Sequence, residues 1–264
     1  MIPKIIHFCW ISENASYPDI VVDCINSWKK ILPDYEIKEW NQNNFDMNIC
    51  SFVKEAYENK KYAFVSDYMR LYVLNKYGGI YLDTDVKVLK SLNVLLNNKA
   101  FIGFESKKVL ATCLLATEKN NPIFEEMLLN YKNRHFIKSD GSLDLEPNTI
   151  LLTSILKKYG IQLNNTLQKA KYITTYPIEY FCPLNGVTGE VNITKNSYAM
   201  HLFNGSWLSD EEKERSKLYQ NYYANYKNKC PLYIADILAK SIATYKVEGI
   251  SGIFKRFNKK IRAK

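Results

Sequence analysis

Asp83 and Asp85 flank a single threonine directly behind the apolar run Ile80-Tyr81-Leu82. In an extended chain, residues two apart point the same way. The spacing therefore predicts two carboxylates on one side and Thr84 on the other. Behind a buried strand they stand at its C-terminal end, the edge at which ligands bind in open α/β sheets. Two carboxylates there repel each other, and a divalent cation carrying a phosphate relieves the repulsion. Mg2+ and Mn2+ suit a few carboxylates completed by water and phosphate oxygens. Taken alone, D-x-D also fits a plain polar turn, so its neighbours matter. Asp67 and Arg70 lie three apart in a segment with helical spacing and share a face. The rest of that segment is apolar through Phe64, Val65, Tyr68, Leu71, Tyr72 and Leu74. That pattern predicts a charged pair at a partly buried edge, with a surface salt bridge as the bland alternative.

The scaffold around these residues is legible in the periodicity. Ile5-Ile6-His7-Phe8-Cys9-Trp10-Ile11 reads as a strand covered on both faces. Ile20, Val21, Cys24, Ile25, Trp28 and Ile31 have helical spacing, and Pro33-Asp34 ends that helix. Tyr35 to Trp40 reads as a second strand. Strand, helix and strand with short connections predict a right-handed βαβ unit, an α/β class and a largely parallel sheet. Helix is predicted over Phe52 to Tyr57 and Tyr62 to Tyr77, stopped by Gly78-Gly79. Further strands are expected at Ala100–Glu105, Val109–Ala116, Tyr172–Thr175 and Tyr198–Phe203. Helices are expected from Pro122, which suits a first helical position, and over Ile150 to Tyr159. From Asp210 onward the pattern is helical only. The expected division is thus an α/β body over 1–209 and a helical region over 210–264.

Composition sets the outer limits. The chain has 264 residues, 47% hydrophobic and 24% charged, which excludes disorder as the dominant state. No apolar run is long enough to span a bilayer. Met1-Ile2-Pro3-Lys4 leads straight into a strand with no signal-peptide pattern, and the expectation is a cytoplasmic protein. The six cysteines are scattered without a C-x-x-C pair, which argues against a disulfide framework or a structural zinc site. They are read as reduced core residues. The net charge is +9, yet the last ten residues hold six Lys/Arg and no acid, which leaves 30 basic against 27 acidic residues elsewhere. The basicity is a property of the tail. With no zinc motif or RNP-like segment, nucleic acid is not an expected partner.

The run S-D-x-x-R-x-x-x-L-x-x-x-G-G-x-Y-x-D-x-D, from Ser66 to Asp85, resembles the signature of glycosyltransferase family 32. That family includes enzymes of capsular polysaccharide and O-antigen synthesis, and similar motifs occur in the glucosylating domains of large clostridial toxins. The amino-terminal Ile2–Trp10 run and a late block, Tyr198-Ala199-Met200-His201 … Gly205-Ser206-Trp207, are similar to family blocks in the expected order. The resemblance implies a GT-A fold, Rossmann-like α/β, and sugar transfer from a nucleotide donor with retention. It implies that Asp85 ligates Mn2+ or Mg2+ and that Asp83 contacts the donor and, through water, the metal. It implies that Asp67 and Arg70 hold the hydroxyls of the transferred sugar, that Tyr81 joins the donor-binding set, and that Trp10 stacks on the base. His201 or Asn204 would complete the metal shell, while Ser206 and Trp207 would approach the diphosphate. A satisfied core histidine is the other reading of His201. His7, inside a strand, is read as structural. Asn148 is read as a helix cap, with a place near the anomeric carbon as the alternative.

Ile253, Phe254, Phe257 and Ile261 recur at helical spacing among Lys255, Arg256, Lys259, Lys260, Arg262 and Lys264. That is the pattern of a basic amphipathic helix lying on an anionic bilayer; a solvated basic terminus is the plainer reading. The expectation is a retaining hexosyltransferase at the inner membrane face, taking a UDP-hexose such as galactose or glucose. Its acceptor would be a glycan or a lipid-linked oligosaccharide. A toxin-like protein glycosyltransferase and a noncatalytic membrane-peripheral protein are the alternatives. The presence of both aspartates, the arginine and the late tryptophan counts against the last.

Overall fold

The computed structural model describes residues 1–12, 16–205 and 208–262, with side chains at all of these except 255 and 257–262. The chain divides into two compact units, Met1–Pro183 with Asn192–Leu202, and Leu184–Val191 with Phe203–Lys264. The division at 209/210 expected from periodicity lies a few residues later and leaves 184–191 with the body.

The first unit runs β1 (Ile5–Cys9), α1 (Asp19–Ile31), β2 (Glu36–Trp40), α2 (Ser51–Glu58), α3 (Tyr62–Tyr77), β3 (Gly79–Leu82) and β4 (Val86–Val88). It continues with β5 (Ala100–Ser106), β6 (Val109–Thr117), α4 (Pro122–Leu129), α5 (Asn148–Lys158), β7 (Gln168–Lys169), β8 (Thr174–Tyr176), α6 (Ile178–Phe181) and β9 (Ala199–His201). Seven strands form one sheet in the order β2-β1-β3-β6-β5-β8-β7. The expected α/β class with a helical C-terminal region is what the chain adopts. The sheet itself is mixed, which corrects the expectation of a largely parallel one. Pairs β1–β2, β1–β3 and β5–β8 are parallel, while β3–β6, β5–β6 and β7–β8 are antiparallel. The cause is local. Only Lys107-Lys108 separates β5 from β6, too short a link for the crossover that parallel strands need.

Because side chains alternate along a strand, β3 feeds two cores. Tyr81 packs with Met69, Leu74, Ile102 and Leu115 on one face. Ile80 and Leu82 pack with Ile6, Phe8, Trp28 and Leu114 on the other. Trp28 is fully buried and donates its indole N–H to the Val86 carbonyl at 2.7 Å, which ties α1 to β4. Burying a side chain of this size contributes at least about 2 kcal/mol. Gly78 and Gly79, at φ 68° and 107°, turn the chain from α3 into β3. A Cβ on Gly79 would stand 2.7 Å from the Ile5 carbonyl oxygen, and one on Gly78 would stand 2.9 Å from the Lys119 nitrogen. Both positions need glycine for space as well as for φ.

The second unit is built on α7 (Asp210–Tyr226) and α8 (Leu232–Arg262). A capping box, with the Ser209 hydroxyl on the Glu212 N–H and the Glu212 carboxylate on the Ser209 N–H, starts α7. Ala239 and Ala243 of α8 are fully buried against Tyr219 of α7. Gly249, at φ 66° and ψ −165°, breaks α8 into two helical stretches. Among the described residues no helix is long and apolar enough to cross a membrane.

Candidate active site

Asp83 follows β3 and donates its N–H to the Cys113 carbonyl at 2.8 Å, while its own carbonyl accepts from Val86 N–H at 3.0 Å. The stretch Asp83-Thr84-Asp85 is thus a reverse turn between β3 and β4, not the extended segment that its spacing suggested. The two carboxylates still converge, through the pairing of the next strand. Strand β4 runs antiparallel to β9, so Val86 lies opposite His201, and Leu202 N–H donates to the Asp85 carbonyl at 2.9 Å. His201 Nε2 stands 3.4 Å from Asp85 Oδ1. Ligand atoms of Asp83, Asp85 and His201 all lie within 4.8 Å of one another. Two half-buried carboxylates and an imidazole form a donor set that fits Mn2+ or Mg2+. His201 thus stands beside both carboxylates of the acidic turn. Burial disfavours its imidazolium, yet Cys113 and Asp85 outweigh this and hold its pKa well above the usual histidine value.

Helix α3 supplies the second half of the cluster. Arg70 Nη2 lies 3.3 Å from Asp67 Oδ1 and 3.3 Å from Asp83 Oδ1. Its Nη1 donates to the Thr112 carbonyl at 3.0 Å and its Nε to the Ser66 carbonyl at 3.2 Å. The guanidinium lies 4.7 Å from the centroid of the Tyr81 ring, and Tyr81 donates its hydroxyl proton to Asp83 Oδ1 at 2.8 Å. Arg70 is only 5% exposed. The bland alternative of a surface salt bridge is thereby corrected: this is a desolvated network with the cation bridging two carboxylates. Burial pushes the Asp67 carboxyl up to about 6 although Arg70 pulls the other way; Asp83 adds to the rise, and a backbone hydrogen bond from Asn148 opposes it.

The remaining expected residues fall variously. Trp10 is the residue after β1, at the same sheet edge as Asp83 because β1 and β3 run parallel. Its ring meets Tyr17 edge-on at 5.4 Å, and its buried indole N–H has no acceptor among the described residues. Asn148 does not cap α5, which corrects that reading: Pro147 holds the cap position without a side-chain hydrogen bond. Asn148 is instead the buried first residue of the helix, with Nδ2 3.5 Å from the Asp67 carbonyl oxygen. Asn204 belongs to the second unit, and Ser206 and Trp207 lie outside the described residues. His7 has a structural setting, with Nε2 2.8 Å from the Gly78 carbonyl and Nδ1 accepting from Trp40 Nε1 at 3.0 Å. Burial lowers its pKa to about 4.

Periodicity did not single out Glu105 on β5. Burial raises its carboxyl pKa, His201 lowers it and Asp83 raises it, which places Glu105 in the field of the same cluster. The signal available was its place at the polar end of an otherwise buried strand.

Residues 18–102 match the family described as "Glycosyltransferase sugar-binding region containing DXD motif". The matched stretch is less than half of the chain. Asp67, Arg70, Tyr81, Asp83 and Asp85 lie inside it, and Trp10, Asn148, His201 and Asn204 lie outside. Over 143 residues the chain is 29% identical to inositol phosphoceramide mannosyltransferase 3 of Schizosaccharomyces pombe, covering 51% of this chain and 40% of that protein. Over 163 residues it is 30% identical to the lactosylceramide 4-alpha-galactosyltransferase of Mus musculus, covering 60% of this chain and 42% of that one. The chain thus spans less than half the length of either. Among solved structures, galactosyltransferase LgtC in complex with donor and acceptor sugar analogs superposes with a TM-score of 0.41 at 14% identity, covering 90% of this chain and 95% of that one.

Proposed function

We propose that the protein is a metal-dependent, retaining hexosyltransferase of GT-A type that moves a sugar from a UDP-hexose to a lipid-linked or glycan acceptor. The observation that carries this reading is the convergence of Asp83, Asp85 and His201 within 4.8 Å, beside a buried arginine, in a chain whose residues 18–102 match a D-x-D sugar-binding region. Asp83, Asp85 and His201 would hold Mn2+ or Mg2+; the bound cation would supply Lewis-acid stabilisation of the charge on the departing diphosphate. Arg70 and Tyr81 both engage Oδ1 of Asp83, which leaves Oδ2 for a ligand and fixes the carboxylate before donor arrives. Such preorganisation is where electrostatic catalysis gains most. Asp67 would accept from a sugar hydroxyl, and Arg70, whose guanidinium already bridges Asp67, Asp83, Ser66 and Thr112, would hold that carboxylate in place. Trp10, Asn148, Ser206 and Trp207 are proposed as further donor contacts. With retention, the acceptor hydroxyl attacks from the face that the diphosphate leaves, and a leaving-group oxygen takes its proton. No side chain needs to serve as a dedicated base.

A lipid-linked acceptor is favoured because both curated relatives are named for ceramide-based lipids. Helix α8 adds a reason of its own. Ile250, Ile253 and Phe254 are 62%, 36% and 64% exposed, and the sequence around and beyond them is basic. This combination favours an anionic membrane surface, with the protein peripheral at the cytoplasmic face in capsule or O-antigen synthesis.

A panel of UDP- and GDP-hexoses with Mn2+ tests the reading. One donor is expected to be hydrolysed slowly without acceptor, and EDTA is expected to stop it. If every donor stays intact and none binds in a metal-dependent way, the reading fails.

A further inference from the structure

Behind the acidic turn, His201 also faces sulfur. Cys113 on β6 and Cys182, just past α6, are separated by 69 positions in the chain, yet their Sγ atoms are 3.9 Å apart. Both are free thiols, 2% and 1% exposed. Ligand atoms of Cys113, Cys182 and His201 lie within 4.8 Å of one another. Three elements fix this: β6 through its ladder with β3, Cys182 through its N–H on the Ile178 carbonyl at 2.8 Å, and His201 through β9.

The separation is informative. Two thiolates bound tetrahedrally at a Zn–S distance of ~2.3 Å stand about 3.8 Å apart. A disulfide would require the sulfurs to close to ~2.05 Å and would make no use of the imidazole. We infer that Cys113, Cys182 and His201 form a second cation site, for a thiophilic divalent ion of the Zn2+ or Cd2+ class, with the fourth position left to water or an outside ligand. Binding exchanges two thiol protons and the imidazolium proton of His201, all released to solvent, for two metal–sulfur bonds and one metal–nitrogen bond, and involves no oxidation. The soft thiolate pair selects against Mg2+ and Mn2+, which suit the carboxylates in front.

The two sites share His201. A neutral imidazole has one free lone pair, so His201 serves one cation at a time. Occupancy of the thiol site therefore withdraws His201 from Asp85 and opposes the catalytic metal. This last consequence rests on the transferase reading; the binding of Cd2+ does not.

The test is titration of the reduced, full-length chain with Cd2+, monitored through the ultraviolet thiolate-to-cadmium charge-transfer band. One equivalent is expected to saturate the band. Cys113→Ser and Cys182→Ser, or Cys182→Ala should a serine variant fail to fold, are expected to abolish it. His201→Gln is expected to weaken Cd2+ binding by roughly tenfold or more, and Cys230→Ser, in the other unit, to leave the band intact. Zn2+ is expected to inhibit Mn2+-dependent donor hydrolysis in the wild type, and to inhibit Cys182→Ser far less relative to that variant's own rate. No cysteine-dependent band overturns the inference, whatever the activity. A band unaffected by His201→Gln overturns the three-ligand site, and so does rapid oxidation of the pair by oxidised glutathione with no cadmium uptake. A normal band in a protein that hydrolyses no donor leaves this site standing and sinks the transferase reading instead.

Discussion

In the first unit Arg70 is almost fully buried and its guanidinium is shared between Asp67 and Asp83, whereas in the second Arg215 and Arg256 share Glu248 at a wetter edge, Arg256 being 48% exposed. The composition of the two clusters is similar and their consequences differ. Arg256 is half-exposed, and water screens its bond to Glu248, so that bond contributes little and tolerates change. Around Arg70 the ions have lost their water, and each depends on the others being present. A buried network of this kind is poor as a source of stability but good at holding groups in fixed positions, which is what a binding site needs.

Removing the cation from each cluster puts this contrast under the greatest load. Arg70→Met is expected to cost about 3–5 kcal/mol of unfolding free energy because it strands two carboxylates. Arg256→Met is expected to cost about 1 kcal/mol or less. Urea denaturation of both variants measures the difference, and equal losses would erase the distinction. Asp85→Asn keeps the shape of the acidic turn and is expected to lower donor hydrolysis by on the order of 10²–10³ in kcat, with unfolding nearly unchanged. A variant that hydrolyses donor normally would remove Asp85 from the chemistry.

His7 extends the contrast to pH. The folded chain keeps its imidazole neutral down to about 4, while an unfolded chain takes up that proton near 6.5. A lowered histidine pKa contributes stability that is complete above pH 6.5, declines as pH falls to 4, and changes no further below. The span corresponds to about 3 kcal/mol. Lys38 and Glu36 act on the ring in opposite senses, and burial dominates both. The stability gap between wild type and His7→Gln is expected to narrow over that window in urea titrations; a constant gap rejects the account. The smallest expected effect on the fold belongs to the tail. Removing residues 254–264 is expected to leave unfolding and donor hydrolysis nearly unchanged while reducing co-sedimentation with anionic vesicles. Unreduced sedimentation counts against the membrane reading.

Long periodic segments were legible from residue spacing. Helix α3 runs over Tyr62–Tyr77 as its apolar spacing and the Gly78-Gly79 stop predict, and the Asp67–Arg70 pairing comes from that helix alone. The partner of the acidic pair was not derivable in the same way. His201 reaches Asp85 only because β4 pairs with β9, and β4 is the three-residue Val86-Lys87-Val88, too short to announce itself by alternation. The Asp83–Asp85 geometry came from a turn where an extended strand was expected. A single i to i+3 hydrogen bond, invisible in residue types, makes the difference. Asn148 carried a cap-forming side chain, yet Pro147 took the cap position and tertiary contact with Asp67 claimed the asparagine. Cys113 and Cys182 share no local pattern, and only the closing of the sheet brings them together.

Gly78 and Gly79 act as a rivet between the helix that bears the arginine fork and the strand that ends in the acidic turn. With room for nothing larger than hydrogen at either position, the span between the two halves of the cluster has no local means of adjustment. Selectivity for one sugar over another would therefore have to be tuned from outside this joint, in segments whose backbone is free to vary in length.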